Sequence, residues 1–138
     1  MGNTINYWIV VHDREVYNES PNVMGFTENA YNAQYIRPND IIIYYFKGES
    51  AIRGIFKVCQ KPWARNANWD NECQVEIKPL IIPEDAVDFK QLVPELESFT
   101  NKEKWYSHIQ GTNSVKKIPL NDYKIIRKYI IEHIGDGC

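Results

Sequence analysis

The chain has 138 residues, 43% of them hydrophobic and 25% charged, which is enough for one packed core and too ordinary a mixture for whole-chain disorder. Its formal net charge of −2 argues against a protein that coats long duplex through many phosphates, because such domains carry a clear basic excess. In chain order, Tyr7-Trp8-Ile9-Val10-Val11 is aromatic and β-branched and predicts a strand, apolar on both faces and so inside a sheet. His12 to Glu15 is a polar break, and Ser20-Pro21-Asn22 marks a turn. Glu28 to Tyr35 predicts a short helix that Arg37-Pro38-Asn39-Asp40 stops. Ile41 to Phe46 is the strongest strand, again buried on both faces.

Lys47-Gly48-Glu49-Ser50 predicts a hairpin turn, and Ala51 to Cys59 the strand after it, with Gly54 marking a bulge or a close backbone approach. Gln60 to Glu72 is polar, aromatic and irregular. Cys73 to Ile77 alternates, predicting a strand with one solvated face that Pro79 to Ile82 continues. Phe89 to Leu96 predicts a short helix interrupted by Pro94, and Lys102 to Ile109 is a basic segment of no clear class. A terminal helix starts at Pro119-Leu120-Asn121-Asp122, with Asn121 as its N-cap. Tyr123, Ile126, Tyr129, Ile130 and His133 form its packing stripe. The expectation is a single domain over 1–138, of α+β class: a small curved sheet or barrel flanked by helices.

Three cysteines, Cys59, Cys73 and Cys138, form no C-x-x-C pair and have no His at metal-ligand spacing. No disulfide framework, zinc site or cofactor is expected, and Cys59 reads as a structural thiol within its strand. The Met1 to Asn6 start has no signal-peptide pattern, and no apolar run reaches transmembrane length. A monomeric, cytoplasmic protein without a membrane partner is the expectation. Phosphate-cradling glycine loops and G-x-S-x-G elbows are absent from the sequence, so catalysis has no motif behind it. An enzyme acting on a base would have to draw on His12 with Asp13, or on His108.

Charge is unevenly spread. Arg53 to Arg65 carries four basic residues and no acidic one, and Lys102 to Lys128 seven basic against two acidic. These runs are either solvated faces or one basic surface assembled by the fold. The most informative stretch is Lys61-Pro62-Trp63-Ala64-Arg65-Asn66-Ala67-Asn68-Trp69. Two indoles stand there among asparagines and cations, without the apolar neighbours a core would supply. A nucleobase suits such a loop: its faces stack on indole for roughly 1–3 kcal/mol, and its edge meets amides. Lys61 and Arg65 then suit the flanking phosphates. The competing reading folds an indole back as a lid on the core, and for Trp63 the two stand level.

Several segments together resemble the EVE domain family, of the archaeal UPF0310 type. They are Tyr7 to Val11, Asn22-Val23-Met24-Gly25-Phe26, Arg37-Pro38-Asn39-Asp40 with the strand after it, Lys104-Trp105-Tyr106-Ser107-His108-Ile109-Gln110-Gly111, and Ile118 to Tyr123. The resemblance spans about Tyr7 to Ile130. It implies a PUA-like fold, a small curved β-barrel with peripheral helices and a C-terminal helix, similar to the YTH readers that hold a methylated base in an aromatic cage. By that likeness the domain is non-catalytic and binds RNA or modified DNA, as a single strand or through a flipped base. The same pocket also suits a nucleoside-like small molecule or a protein partner.

The resemblance implies a pocket between the end of the first strand (His12, Asp13), the Met24-Gly25-Phe26 segment and the Trp63–Trp69 loop. Trp69 aligns with a cage tryptophan, Trp63 is offset by one residue, and Met24 stands where an aromatic is expected. Asn32 falls in a polar motif, while Trp105 and His108 lie in a bordering loop. For Trp105, core packing and ligand contact are equally open. Arg14, Lys61, Arg65 and Lys104 are the candidate phosphate contacts.

Overall fold

A computed structural model describes residues 5–19, 23–26, 35–59, 64–65, 73–109 and 115–136. Its strands are β1 (Tyr7–His12), β2 (Val23–Phe26), β3 (Ile41–Phe46), β4 (Ala51–Val58), β5 (Ala64–Arg65), β6 (Cys73–Ile81), β7 (Val87–Asp88) and β8 (Val115–Ile118). Helix α1 is Arg14–Glu19 and helix α2 is Leu120–Asp136. The strands form one mixed sheet in the order β2-β6-β4-β3-β1-β8, with β5 beside β6 and β7 beside β4. Among the described residues, only the central pair β1–β3 is parallel and the other pairings are antiparallel. Among the described residues the path ends on β2 and β8 without their pairing, so it is an open sheet with one C-terminal helix.

The two most apolar runs take the centre. All six residues of β3 are buried, because β1 and β4 cover its edges and side chains cover both its faces. Alternation then divides the core in two. Ile9, Ile41, Ile43 and Tyr45 point to the first face, where Phe89, Phe99, Ile126 and Ile130 close over them. Trp8, Val10, Ile42, Tyr44 and Phe46 point to the second, with Phe56, Val58, Ile77 and Val115.

Buried acids fasten the ends of this frame. The Asp40 carboxylate accepts from Trp8 Nε1 at 3.0 Å and from the backbone N–H groups of Asn6 and Arg37. Asp122, in the first turn of α2, accepts from the N–H groups of Glu97 and Ser98 and from the Ser98 hydroxyl. A buried carboxylate without such donors would be strongly destabilising. At Gly54 the β4 backbone lies close against its neighbour: a Cβ there would stand 2.6 Å from the Ile81 carbonyl oxygen. The ladder with β3 slips beside it, between Tyr44 and Tyr45. The turn before β4 carries Gly48 at φ 81° and Ser50 at φ 52°.

Several expectations are corrected. The polar break after β1 becomes α1, whose first turn begins at Arg14. The expected helix over Phe89 to Leu96 is only a 3-10 turn, Val93–Glu95, because Pro94 supplies no N–H for a longer ladder. Helix α2 begins at Leu120, so Asn121 lies inside its first turn and does not cap it. Cys59 follows the end of β4 and is half-buried, not enclosed within the strand. The helix expected over Glu28 to Tyr35 falls outside the described residues, apart from Tyr35.

Candidate functional site

The resemblance joins segments far apart in sequence, and the sheet brings two of them together through β6. This strand has two halves with different neighbours. Ile77 to Ile81 pairs with β4, while Cys73 to Glu76 pairs with β2. The short β5, cut from the tryptophan-bearing loop, also pairs with Cys73 and Gln74. Gly25, Gln74 and Ala64 therefore stand in one row, and Phe26, Cys73 and Arg65 in the next. At about 4.8 Å per strand spacing, the Gly25 and Ala64 backbones lie about 10 Å apart. Met24 is on β2 opposite Val75. Asn32, Lys61, Trp63 and Trp69 lie outside the described residues.

The end of β1 builds a second group. The His12 carbonyl accepts from the Lys47 N–H at 2.9 Å, tying β1 to the hairpin turn. Its imidazole lies 5.8 Å from the Tyr44 ring on the second face. Burial holds the His12 pKa below the ordinary 6.5, with the Asp13 carboxylate acting in the opposite direction. Burial thus favours the neutral imidazole, which offers one donor and one acceptor. Asp13 is exposed, and its carbonyl accepts from the Tyr17 N–H of α1.

Tyr17 sets its ring edge-on against Tyr44, Phe46 and Phe56. The Tyr44 hydroxyl is buried without a hydrogen-bond partner, and burial pushes its pKa above the ordinary phenol range. The Arg53 guanidinium lies 5.9 Å from the Tyr17 ring centre and donates to the Pro83 carbonyl. Tyr17, Tyr44 and Arg53 were not singled out from the sequence. The available signal was two adjacent tyrosines inside the apolar β3 run, one of which must point away from α2.

Arg14 is already engaged. Its Nε and Nη2 atoms grip the Glu49 carboxylate, the shortest contact being 2.7 Å, and its guanidinium lies 4.5 Å from the Phe46 ring centre. A phosphate at Arg14 would have to displace Glu49.

Trp105, His108 and Lys104 belong elsewhere. The half-buried Trp105 indole packs into the first face, 5.6 Å from Phe89 and 6.5 Å from Tyr45 between ring centres. His12 lies against Tyr44 and Trp105 against Tyr45, so these two candidates stand on opposite faces of the sheet. His108 Nε2 accepts from the Asn101 N–H at 3.1 Å, and the ring packs edge-on against Phe99. Its pKa is lowered, first by desolvation and then by Lys116 and Lys102. The Lys104 backbone N–H donates to the Asn101 side chain, and its ammonium end is in an exposed residue. Among the described residues, no group of three or more His, Cys, Asp or Glu side chains is arranged to hold a metal. No described helix is long and apolar enough to cross a membrane.

Comparison with known proteins adds a family and a fold. The EVE domain model matches residues 6–129. A UPF0310 protein of Pyrococcus abyssi is 29% identical over 145 residues, covering 91% of this chain and 100% of that protein. Human THYN1, solved in complex with 5-methylcytosine-containing DNA, is similar with a TM-score of 0.63 at 8% identity. That match covers 91% of this chain and 97% of THYN1. The YTH domain of Zygosaccharomyces rouxii MRB1, solved in complex with N6-methyladenosine RNA, also has a TM-score of 0.63, at 9% identity. It covers 93% of this chain and 88% of the YTH chain.

Proposed function

The chain belongs to the EVE domain family, and on that premise we propose that it is a binding domain for nucleic acid that accepts one modified, flipped base. The observation that carries the reading is the shared fold with two proteins solved with methylated-base ligands, one on DNA and one on RNA. The pairing of β2 and β5 with the same end of β6 supports it, because it draws Met24-Gly25-Phe26 toward the loop that bears Trp63 and Trp69. Closure of the sheet into a PUA-like barrel is part of the same proposal. The divided partners of β6 and the register slips in β3–β4 and β4–β6 support the curvature that closure needs.

In this reading Trp69 stacks on the base, Trp63 and Met24 complete the cage, and Gly25 and Phe26 line it. His12, Asp13 and Asn32 offer polar contacts, and Lys61 and Arg65 take the flanking phosphates. Burying one methyl gains only about 0.8 kcal/mol, so size gives modest selectivity. Sharper discrimination comes from leaving a polar group unpaired when the unmodified base enters. A base leaves its stack most readily in a single strand or at a damaged site.

The test is mass-spectrometric identification of nucleotides that co-purify with the protein, set beside the Trp69→Ala variant. The expected result is a modified nucleotide enriched on the parent protein and lost from a variant that still folds. Equal retention by both proteins would sink the cage assignment. Salt-independent binding of a free nucleoside would instead favour a small-molecule pocket, because phosphate contacts release counterions.

A further inference from the structure

The first face of the sheet changes character along one row. Ile118, Tyr7, Ile41, Lys57 and Lys78 stand side by side across β8, β1, β3, β4 and β6. Helix α2 covers one end of this row by stacking Tyr123 on Tyr7, with ring centres 4.3 Å apart. At the other end are two lysines, Lys57 half-buried and Lys78 exposed. They border a cleft of about 220 Å³ lined by Asn39, Lys57, Val58, Cys59 and Lys78.

Like charges directly opposite each other on neighbouring strands are destabilising. Among the described residues, neither ammonium has a carboxylate in ion-pair range. The nearest acid in sequence to the cleft wall, Asp40, is buried with its oxygens taken by Asn6, Trp8 and Arg37. Glu76 lies two residues before Lys78 on β6, is exposed, and gives its carbonyl to the Cys59 N–H. The local backbone donors are used as well, since the Asn39 N–H donates to the Val58 carbonyl. An anion in the cleft is therefore held by side chains.

Asn39 also lines the cleft. It has φ 74°, a conformation that glycine adopts without strain and asparagine tolerates. At about 30 Å³ per water, the cleft has room for a tetrahedral oxyanion and several waters.

We propose that Lys57 and Lys78 form a binding site for a phosphate group in this cleft, filled by a backbone phosphate of the bound nucleic acid. Lys78 is four residues along β6 from Gln74, the centre of the row that joins β2 to β5. That is about 13 Å of strand, within reach of a nucleotide neighbouring the recognised base. The phosphate's source rests on the reader function proposed above, whereas the site itself does not.

The experiment has two arms, each run on the parent protein, on Lys57→Gln, on Lys78→Gln and on the double variant. In the first, inorganic phosphate is titrated in while backbone amide resonances are followed. Saturable shifts at Asn39, Lys57 and Lys78 that the double variant loses support the site. Absence of any shift there in the parent protein overturns it. In the second, a fluorescent single-stranded oligonucleotide is bound across a salt series. Loss of one phosphate contact lowers the slope of log affinity against log salt by about 0.7. An unchanged slope in the double variant, with the phosphate response present in the parent, overturns the nucleic-acid source and leaves a site for a free phosphorylated ligand. Trp69→Ala separates the two proposals, since it removes base recognition and leaves the phosphate response intact.

Discussion

The two faces of the sheet are both packed with large apolar side chains, yet they are finished differently. Beneath α2, Phe89 meets Tyr45, Phe99 and Trp105, and the one buried acid, Asp122, is fully occupied by neighbouring donors. Among the described residues of that face, the Tyr129 hydroxyl, at its margin, is buried without a partner. On the opposite face such atoms sit in the middle: the Tyr44 hydroxyl and Arg53 Nε lie among the aromatic rings around Tyr17, with the His12 imidazole beside them. Burying polar groups without partners costs stability. The difference teaches that the part of the first face beneath α2 is organised for stability, whereas the second face tolerates groups that a ligand or ordered water can satisfy.

The largest effect expected from this contrast is on the first face. Phe89→Ala should destabilise the fold by about 3–5 kcal/mol, the usual range for emptying an aromatic site in a core. Urea unfolding measures it, and a loss below about 1 kcal/mol would break the contrast. A smaller effect concerns His12. Its pKa in the folded protein lies below the ordinary 6.5, so the unfolded chain takes up the proton first as pH falls. Its stabilising share is whole above about pH 6.5 and is lost below it, down to the folded-state pKa. His108 is shifted the same way, so the comparison must be with a His12→Gln variant, whose stability should fall less between neutral and mildly acidic pH. Parallel stability curves for the two proteins would remove His12 from the account.

The smallest stability effect, and the sharpest test of the second face, is Tyr44→Phe. A buried hydroxyl with no partner contributes nothing to lose, so the thermal midpoint should stay level or rise slightly. A fall of several degrees would mean that the hydroxyl is satisfied in the free protein.

Much of the frame was legible from residue patterns, and the reasons are local. Trp8 to Val10 and Ile41 to Phe46 are apolar without alternation, and they became β1 and β3, the central parallel pair. Gly54 was read as a bulge or close approach, and both are found there. The helical stripe of α2 buries Ile126 and Ile130 and half-buries Tyr123 and Tyr129, but His133, expected in the same stripe, is exposed because the helix has run past the sheet's cover by its last turn. Strands β2, β7 and β8 were not recognised, because two to four residues are too few to establish a period; only their ladders with β6, β4 and β1 define them.

The site was legible only in pieces. Spacing cannot reveal that Gly25 and Ala64 flank Gln74, since that depends on β6 exchanging one partner for another midway. Nor can it reveal that Arg14 is committed to Glu49, 35 residues away. Spacing leaves Trp105 open between core and ligand, and in the fold it is half-buried and packs against Phe89 and Tyr45. Lys57 lies in the basic run from Arg53 to Arg65 and Lys78 outside it, and only the β4–β6 register makes them neighbours.

The tight approach at Gly54 reaches further than its own strand. Any side chain there must push against the Ile81 carbonyl or the Ile82 side chain, and so against the half of β6 that hangs on β4. The other half of the same strand carries β2 and β5. In a library of engineered variants, position 54 is therefore a remote handle on β6: a single methyl added there presses on the strand that also carries β2 and β5, without touching a residue of either.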